Sequence, residues 1–507
     1  MLFTARTQEF RRASALALLH APAPSDPPQR LPLRPTLALA VAGLALLTGG
    51  CAVPPPRAQL ATMATPETLG TRQSLAPAAG TPAANWPSDG WWQAYGDSQL
   101  DALIAEGLAG ATDLRVAQAR FAKAQAVAGE SRSALLPTLT AGAQGGFTQQ
   151  SNNYLFPHGL SPRGWPDYGQ ASLSLSWDLD FWGKNRAALA AAKSDAAASG
   201  AEAAAARLTV SAGIAAAYAD LASLYAQRDA AVDAVTVREK TRDLMADRQR
   251  QGLENMGAVE RAASSLETAQ GDLANLDESI ALERNQIAAL MGAGPDRGLS
   301  IARPQIDLAK STAGLPANLP AELIGRRPDV IAAKLRVQSS DSRIRQAHAA
   351  FYPSVNLAGL IGMQALDIGK VFQAGSDYGS VGPALSLPIL DGGRLRAQYR
   401  GTEADHDVAV AQYDATLVQA LHDVADAATS QQALGQRLAR AQAAEVSAQA
   451  AWTVSNNRYR GGLATYLDVL NAEDSLIAAR KTVASLKTRA FALDVAMVRA
   501  LGGGFRS

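Results

Sequence analysis

The chain has one cysteine in 507 residues, Cys51, so no internal disulfide can staple it. Its charges cancel almost completely, 47 basic residues against 46 acidic, and no Lys/Arg cluster is interleaved with aromatics; nucleic acid is thereby set aside as a partner. Histidine is scarce, and His20, His158, His348, His406 and His422 are scattered without metal-ligand spacing. Neither a GxxxxGK[ST] loop nor an HExxH pair occurs, so the chain lacks the motifs of nucleotide-driven and zinc-assisted chemistry. Aromatic residues make up only 6% of the whole, against abundant alanine, which suits long thin helices better than several thick cores.

The first fifty residues read as an export signal: Arg30 and Arg34, the apolar run "LALAVAGLALL", then "TGG" before Cys51. That run is too short for a permanent membrane span. A lone cysteine in this place resembles the lipid acceptor of a bacterial lipoprotein, with Leu47 one place early and Thr48 in the usual leucine position. Ala52 after it resembles an outer-membrane address. Residues 51–85 are Pro/Ala/Thr-rich and are expected to form a flexible tether that follows the signal peptide of residues 1–50.

The rest is a tandem repeat. "RQRQGLENMGAVERAASSLETA" from Arg248 matches "RYRGGLATYLDVLNAEDSLIAA" from Arg458 at a displacement of 210, and Gly183 falls on Gly393 at the same shift. The expected units are 86–300 and 326–503, joined by a linker over 301–325. Each has a moderate helix (98–134 and 327–351), two alternating segments, and then a very long helix that turns back on itself. From Lys184 to Gln251 and from Arg394 to Arg460 no proline occurs, and each stretch would run roughly 100 Å as a helix. The return helices carry a seven-residue period, Val469, Leu476, Val483, Ala490, Met497 and, 210 earlier, Val259, Leu266, Leu273, Ile280, Ile287. Such heptads, with alanine frequent in the companion positions, predict close coiled-coil packing.

The alternating segments raise a problem of solvent. In "SLSLSWDLDFWG" from Ser172, Leu173, Leu175, Trp177, Leu179 and Phe181 share one face, and the serines with Asp178 and Asp180 share the other. Its partners begin at Thr138, Ser354 and Ser380, the last with Val381, Pro383, Leu385, Leu387 and Ile389 on one face. Four such strands cannot hide an apolar face within one copy of the chain. If that face meets lipid, the backbone must be satisfied by closing a barrel, which takes eight strands or more and therefore several chains. The polar side would then line a watery lumen. The fold class expected is mainly α with a small transmembrane β part: a long coiled-coil helical barrel with four β-strands per chain.

Four stretches, in order, carry a family resemblance: "WWQAYGDSQLDALIAEGLAGATDLRVAQARFAKAQA", "LIGRRPDVIAAKLRVQ", "LDGGRLRAQY" and "RYRGGLATYLDVLNAEDSL". Together they resemble the TolC-type outer membrane factors, and more narrowly the lipoprotein channels of resistance-nodulation-division (RND) efflux pumps, over nearly all of Trp86 to Gly504. The resemblance implies a homotrimer with a twelve-stranded barrel in outer-membrane lipid and a helical tunnel crossing the periplasm. It implies a periplasmic adaptor (membrane fusion) protein and an inner-membrane RND transporter as partners, and no cofactor. The hairpin tips, Arg250, Gln251, Gly252 and Leu253 in the first copy and Arg460, Gly461, Gly462 and Leu463 in the second, would dock the adaptor. Glycine there also serves simply to turn the chain. The family's acidic constriction falls on Asp468 and Asn471, the second departing from the aspartate many relatives carry. Asp468 alternatively serves only its own helix start, through the dipole. The competing reading of the whole chain is a periplasmic coiled-coil scaffold or adaptor with a small sheet in one chain.

Overall fold

The computed structural model describes residues 55–506 apart from 57, 72–74, 76–84, 150, 152–163, 307–314 and 317–318. The export signal, Cys51, His20 and His158 lie outside the described residues. The first copy runs α1 (Ser98–Gly110), α2 (Thr112–Ser133), β1 (Thr138–Phe147), β2 (Asp167–Asp178), α3 (Lys184–Arg250) and α4 (Met256–Leu290). The second runs α5 (Pro328–Ala349), β3 (Ser354–Leu366), β4 (Asp377–Ser386), α6 (Arg394–Arg460) and α7 (Tyr466–Ala500).

Both long helices are 67 residues and both return helices 35, so the repeat is retained in length as well as in sequence. Each long helix begins on a glycine with positive φ, Gly183 (77°) and Gly393 (87°), where a side chain would be strained. Each also begins on an aspartate. Asp180 accepts the backbone N–H of Asn185 and Arg186, both at 2.9 Å, and Asp391 accepts that of Leu395 at 2.8 Å; these donors have no partner inside the helix. Asp180 also pairs with the Arg186 side chain.

This corrects the reading of "SLSLSWDLDFWG". The strand ends at Asp178, and Leu179 to Gly183 form the turn into α3, with Asp180 at φ 44°. Asp178 is occupied too, taking the N–H of Asp180 at 3.0 Å and the amide of Asn185 at 3.2 Å. Neither carboxylate is left free for the lumen. The fourth strand likewise ends at Ser386, leaving Leu387 and Ile389 outside it. The predicted helix over 98–134 is broken at Ala111, where the chain end of α4 crosses. A side chain on Gly292 would stand 2.5 Å from the carbonyl oxygen of Gly110.

The sheet is antiparallel in the order β1-β2-β3-β4, so its central pair joins the two copies. In register, Leu173 lies opposite Ala141 on one side and Ile361 on the other, and Ser174 opposite Thr140 and Leu360. Pro383, which has no N–H to give, sits in β4 at the sheet's edge. β1 and β4 each have one neighbour among the described residues.

The helical core lies where the copies meet. Trp91, Trp92, Tyr95, Leu100 and Ile104 pack on Ile214, Tyr218 and Leu221 of α3, Ile287 of α4 and Phe491 of α7. Asp97 stitches this region together: it caps α1 through Gln99 and accepts the Tyr218 hydroxyl at 2.7 Å and the N–H of Gln305 at 2.8 Å. In the second copy Arg327 does the corresponding work. It binds Asp329 beside it, Asp423 of α6 at 2.9 Å and the carbonyl of Ala500 at 3.2 Å. Of the predicted heptad seam, Leu266, Ile280, Ile287, Val469, Leu476, Val483 and Met497 are buried, while Val259, Leu273 and Ala490 are half-buried.

The expected tether is held down where it is described. The N–H groups of Ala58, Ala61 and Ala64 donate to Glu403, Asp407 and Asp414 along α6, at 3.0, 2.9 and 2.8 Å. Composition alone suggested a free chain because carboxylates on a distant helix are what satisfy its backbone.

Candidate functional site

Three regions carry chemistry that folding alone does not use: the two faces of the sheet, the hairpin tips and the start of α7.

Leu139, Leu175 and Val381 lie in one cross-strand row, Leu173 and Ile361 in the next, and Trp177, Leu357 and Pro383 in another. Among the described residues this face stands largely open: Leu139 is 68% exposed, Ile361 65%, Val381 80% and Leu385 70%, with Leu175 and Leu357 half-buried between their neighbours. An apolar face of this size on a soluble chain would aggregate, and lipid is the solvent that suits it. The reverse face carries Thr138, Thr140, Gln144, Gln170, Ser172, Ser174, Ser176, Asn356, Gln364, Ser380 and Ser386, with Leu360 and Leu366 its large apolar exceptions. Aromatic residues gather at its helix end. Trp182 stacks on Tyr352 at 4.8 Å, and Trp177 donates from its indole to the carbonyl of Leu135 at 3.1 Å, as expected of side chains at a membrane boundary.

The two hairpin tips are copies in geometry. Leu253 donates its N–H to the carbonyl of Arg248, and Leu463 to that of Arg458, both at 2.8 Å. Gly252 (φ 73°) and Gly462 (φ 72°) occupy the left-handed position that closes a helix end. Gly461 has an ordinary φ of −83°, matching Gln251 at −84°, so only the second glycine of its pair is required by the turn. Leu253 and Leu463 point outward, 59% and 72% exposed, and Met256 and Leu467 stand exposed beside them. Sequence reasoning missed this second pair. Arg250 is held by Asp247, whereas Arg460 has no ion-pair partner among the described residues.

Asp468 stands at the third position of α7 in a reciprocal cap. It accepts the N–H of Thr465 at 2.9 Å and its hydroxyl at 2.8 Å, while its own N–H reaches back to that hydroxyl at 3.4 Å. The Thr465 hydroxyl, followed by the Thr465 N–H and the charge of Arg458, holds the Asp468 carboxyl below the usual range. The sequence signal was present as Thr465 three residues ahead of an acid. Asn471, one turn on, is exposed like Asp468 itself.

Above this cap lies a cluster the sequence reading did not find. Glu473 of α7 is wholly buried and pairs with Arg238 of α3 at 3.0 Å; Arg238 also binds Asp474. Thr241 donates its hydroxyl to Glu473 at 3.2 Å. Burial pushes the Glu473 carboxyl up, against the pull of Arg238. The available signal was a break in the repeat: at the 210 shift Glu473 falls on Ala263, and Arg238 on Ala448. Nearer the tips, Tyr459 of α6 donates to Glu254 at 2.7 Å, and the Arg248 guanidinium lies 4.6 Å over its ring. Both contacts tie one hairpin to the other.

Comparison with known proteins agrees with this geometry. The family described as "Outer membrane efflux protein" matches residues 103–293 and 319–503. The chain is 36% identical over 379 residues to the fusaric acid resistance protein FusA of Burkholderia cepacia, covering 73% of this chain and 69% of that one. It is 29% identical over 445 residues to the multidrug resistance outer membrane protein MdtP of Shigella flexneri, covering 84% and 88%. Among solved structures, the outer membrane protein VceC of Vibrio cholerae superposes with a TM-score of 0.79 at 44% identity, over 83% of this chain and 100% of that one. The outer-membrane channel OprN gives 0.78 at 28%, over 90% and 99%. With a largely open apolar sheet face, a polar reverse face and two long helical hairpins, this chain belongs to the outer membrane efflux protein family.

Proposed function

We propose that three copies of this outer-membrane channel close a twelve-stranded barrel and a helical tunnel, forming a passive conduit that takes small molecules from a periplasmic adaptor and an inner-membrane RND transporter. The observation that carries it is the sheet: among the described residues its apolar face is covered only by Ile368 and Val371 over Gly145 and Gly169 at the outer end, and its polar face has no acids or bases between its ends. A scaffold with a small sheet in one chain would leave that apolar face in water. Energy comes from the transporter, and the channel supplies a water-filled path.

In this reading the hairpin tips are the docking end. The exposed Leu253, Met256, Leu463 and Leu467 offer apolar anchors around turns fixed by Gly252 and Gly462, with Arg460, which has no ion-pair partner among the described residues, beside them. Three copies bring Asp468 and Asn471 around the threefold axis, and the depressed pKa keeps Asp468 ionised, so like charges repel and draw in cations. Opening moves α6 and α7 away from α3 and α4 and strains the contacts of Arg238 and Tyr459 that bridge them. A lipid on Cys51 completes the membrane attachment.

Growth of cells lacking the gene, across a panel of unrelated toxic compounds, tests the reading. The wild-type chain is expected to restore tolerance to some of the panel, and a Leu253→Asp/Leu463→Asp variant to lose it while still forming trimers. Tolerance unchanged in the double variant would remove the tips from docking. No restoration by a correctly inserted wild-type trimer would remove the efflux role.

A further inference from the structure

The polar face of the sheet is mostly small near its helix end and bulky further out. Its rows run Thr138, Ser176, Ala358, Gly382; then Thr140, Ser174, Leu360, Ser380; then Gly142, Ser172, Gly362 and Tyr378. The next row is Gln144, Gln170, Gln364, three glutamines side by side on neighbouring strands. They are linked: the Gln144 amide donates to the Gln170 carbonyl at 2.6 Å, and the Gln170 amide donates to the Tyr378 hydroxyl.

Tyr378 reaches them by lying across Gly362, where a side chain would stand 2.8 Å from its ring. Tyr168 lies in the same way over Gly146, at 3.3 Å. Glycine opposite each tyrosine lets the rings lie flat on the wall. Gln364 is the member whose side-chain amide has no protein partner among the described residues. It borders a cavity of about 360 Å³ that Tyr168 and Gln170 also line.

We propose that this glutamine–tyrosine row is the exit filter of the channel, an uncharged girdle at the outer end of the barrel that sets the size limit and offers amide and hydroxyl contacts to hydrogen-bonding cargo. Tyr168 and Tyr378 on this face lie back over glycines, so the level that carries three glutamines per chain narrows the lumen most. In the three-chain barrel, on which this rests, the row becomes a ring of nine glutamines. Because the ring has no charge it does not sort cations from anions, and that discrimination stays with Asp468 at the far end. The free Gln364 amides face the passage and give a solute something to exchange for its water.

The test uses the chain's poverty in cysteine. Ser174→Cys places a thiol on the polar face two rows inside the girdle, Leu173→Cys places one on the apolar face, and Gln149→Cys places one beyond the end of β1. Intact cells receive membrane-impermeant maleimides from small to polymer-linked, with the rate of the unsubstituted chain subtracted. At Ser174→Cys the largest reagents are expected to react about tenfold slower than the smallest, and the gap to close when Gln144, Gln170 and Gln364 are all alanine. Gln170→Glu is expected to slow an anionic reagent severalfold relative to a cationic one. Trimer yield in detergent is measured for every variant.

A size dependence at Ser174→Cys unchanged by the three alanines, in a trimer whose Gln149→Cys reacts freely, would overturn the girdle alone. Equal labelling of Leu173→Cys and Ser174→Cys would overturn the barrel on which it rests.

Discussion

Glu473 carries a carboxylate with no exposed surface, and the cation against it, Arg238, comes from a helix more than two hundred residues away in the chain. Removing one partner of such a pair leaves a buried charge. Arg238→Met is therefore expected to cost about 3–5 kcal/mol, whereas Glu473→Gln, which leaves Arg238 still paired with Asp474, is expected to cost less. Heat resistance of the detergent-extracted trimer distinguishes the two, and equal losses would contradict the argument. The pH dependence follows in sign. Glu473 is raised in the folded state, so its charged form opposes folding at neutral pH, and that penalty shrinks as pH falls through the raised value. Asp468 is depressed, so its contribution is present above the ordinary aspartate range and is lost only as pH falls through the lowered value. As pH falls through that raised value toward the ordinary glutamate range, the Glu473 contribution should make the trimer more stable, and Glu473→Gln should flatten that slope. Thr465→Ala, which removes the cap from α7, is expected to cost about 1 kcal/mol and to let the Asp468 carboxyl rise, visible as a higher pH for loss of cation selectivity.

Among the elements, strands and helices differ in how much the sequence discloses. The ends of α3 and α6 were legible because Gly183 and Gly393 start them and glycine follows both, a local signal for a local geometry. The faces of β2 were legible because side chains alternate with a period of two. Its end was not: Leu179 and Phe181 continue the alternation, and only the capping of α3 by Asp180 takes them out of the strand. The break at Ala111 had no local signal, being set by the approach of Gly292 to Gly110. Of the site, Asp468 and the tips were reached by resemblance and by glycine, while the Arg238–Glu473 pair is a long-range contact visible only as a mismatch between the two copies. Two predictions belong to this scale. Leu173→Arg, on the face assigned to lipid, is expected to cost about 2–4 kcal/mol and to abolish assembled trimer, while Ser174→Arg on the next residue is tolerated, as read by the yield of heat-resistant trimer. Gly462→Ala is expected to cost about 1–2 kcal/mol at the second tip, and Gly461→Ala far less, because only the former needs positive φ.

For the whole molecule, duplication explains why one chain brings two hairpins and four strands and still has an open sheet. Each copy supplies two strands, the central pair β2 and β3 joins them, and β1 and β4 are left for neighbours. The strap over residues 58–64, clamped to Glu403, Asp407 and Asp414, ties the stretch that follows Cys51 to α6. From the sequence around Cys51, the peptide that begins there is expected to carry acyl chains, which mass spectrometry reads directly; an unmodified thiol would remove the lipid anchor and leave the barrel account intact. The central claim is that the polar face of the sheet encloses water in an assembly of three chains. Planar-bilayer conductance of the detergent-extracted protein, with its mass measured in the same preparation, tests this most directly. The account predicts a mass of three chains and small cation-selective currents that rise or lose selectivity in Asp468→Ala. A folded single chain that never conducts would contradict it.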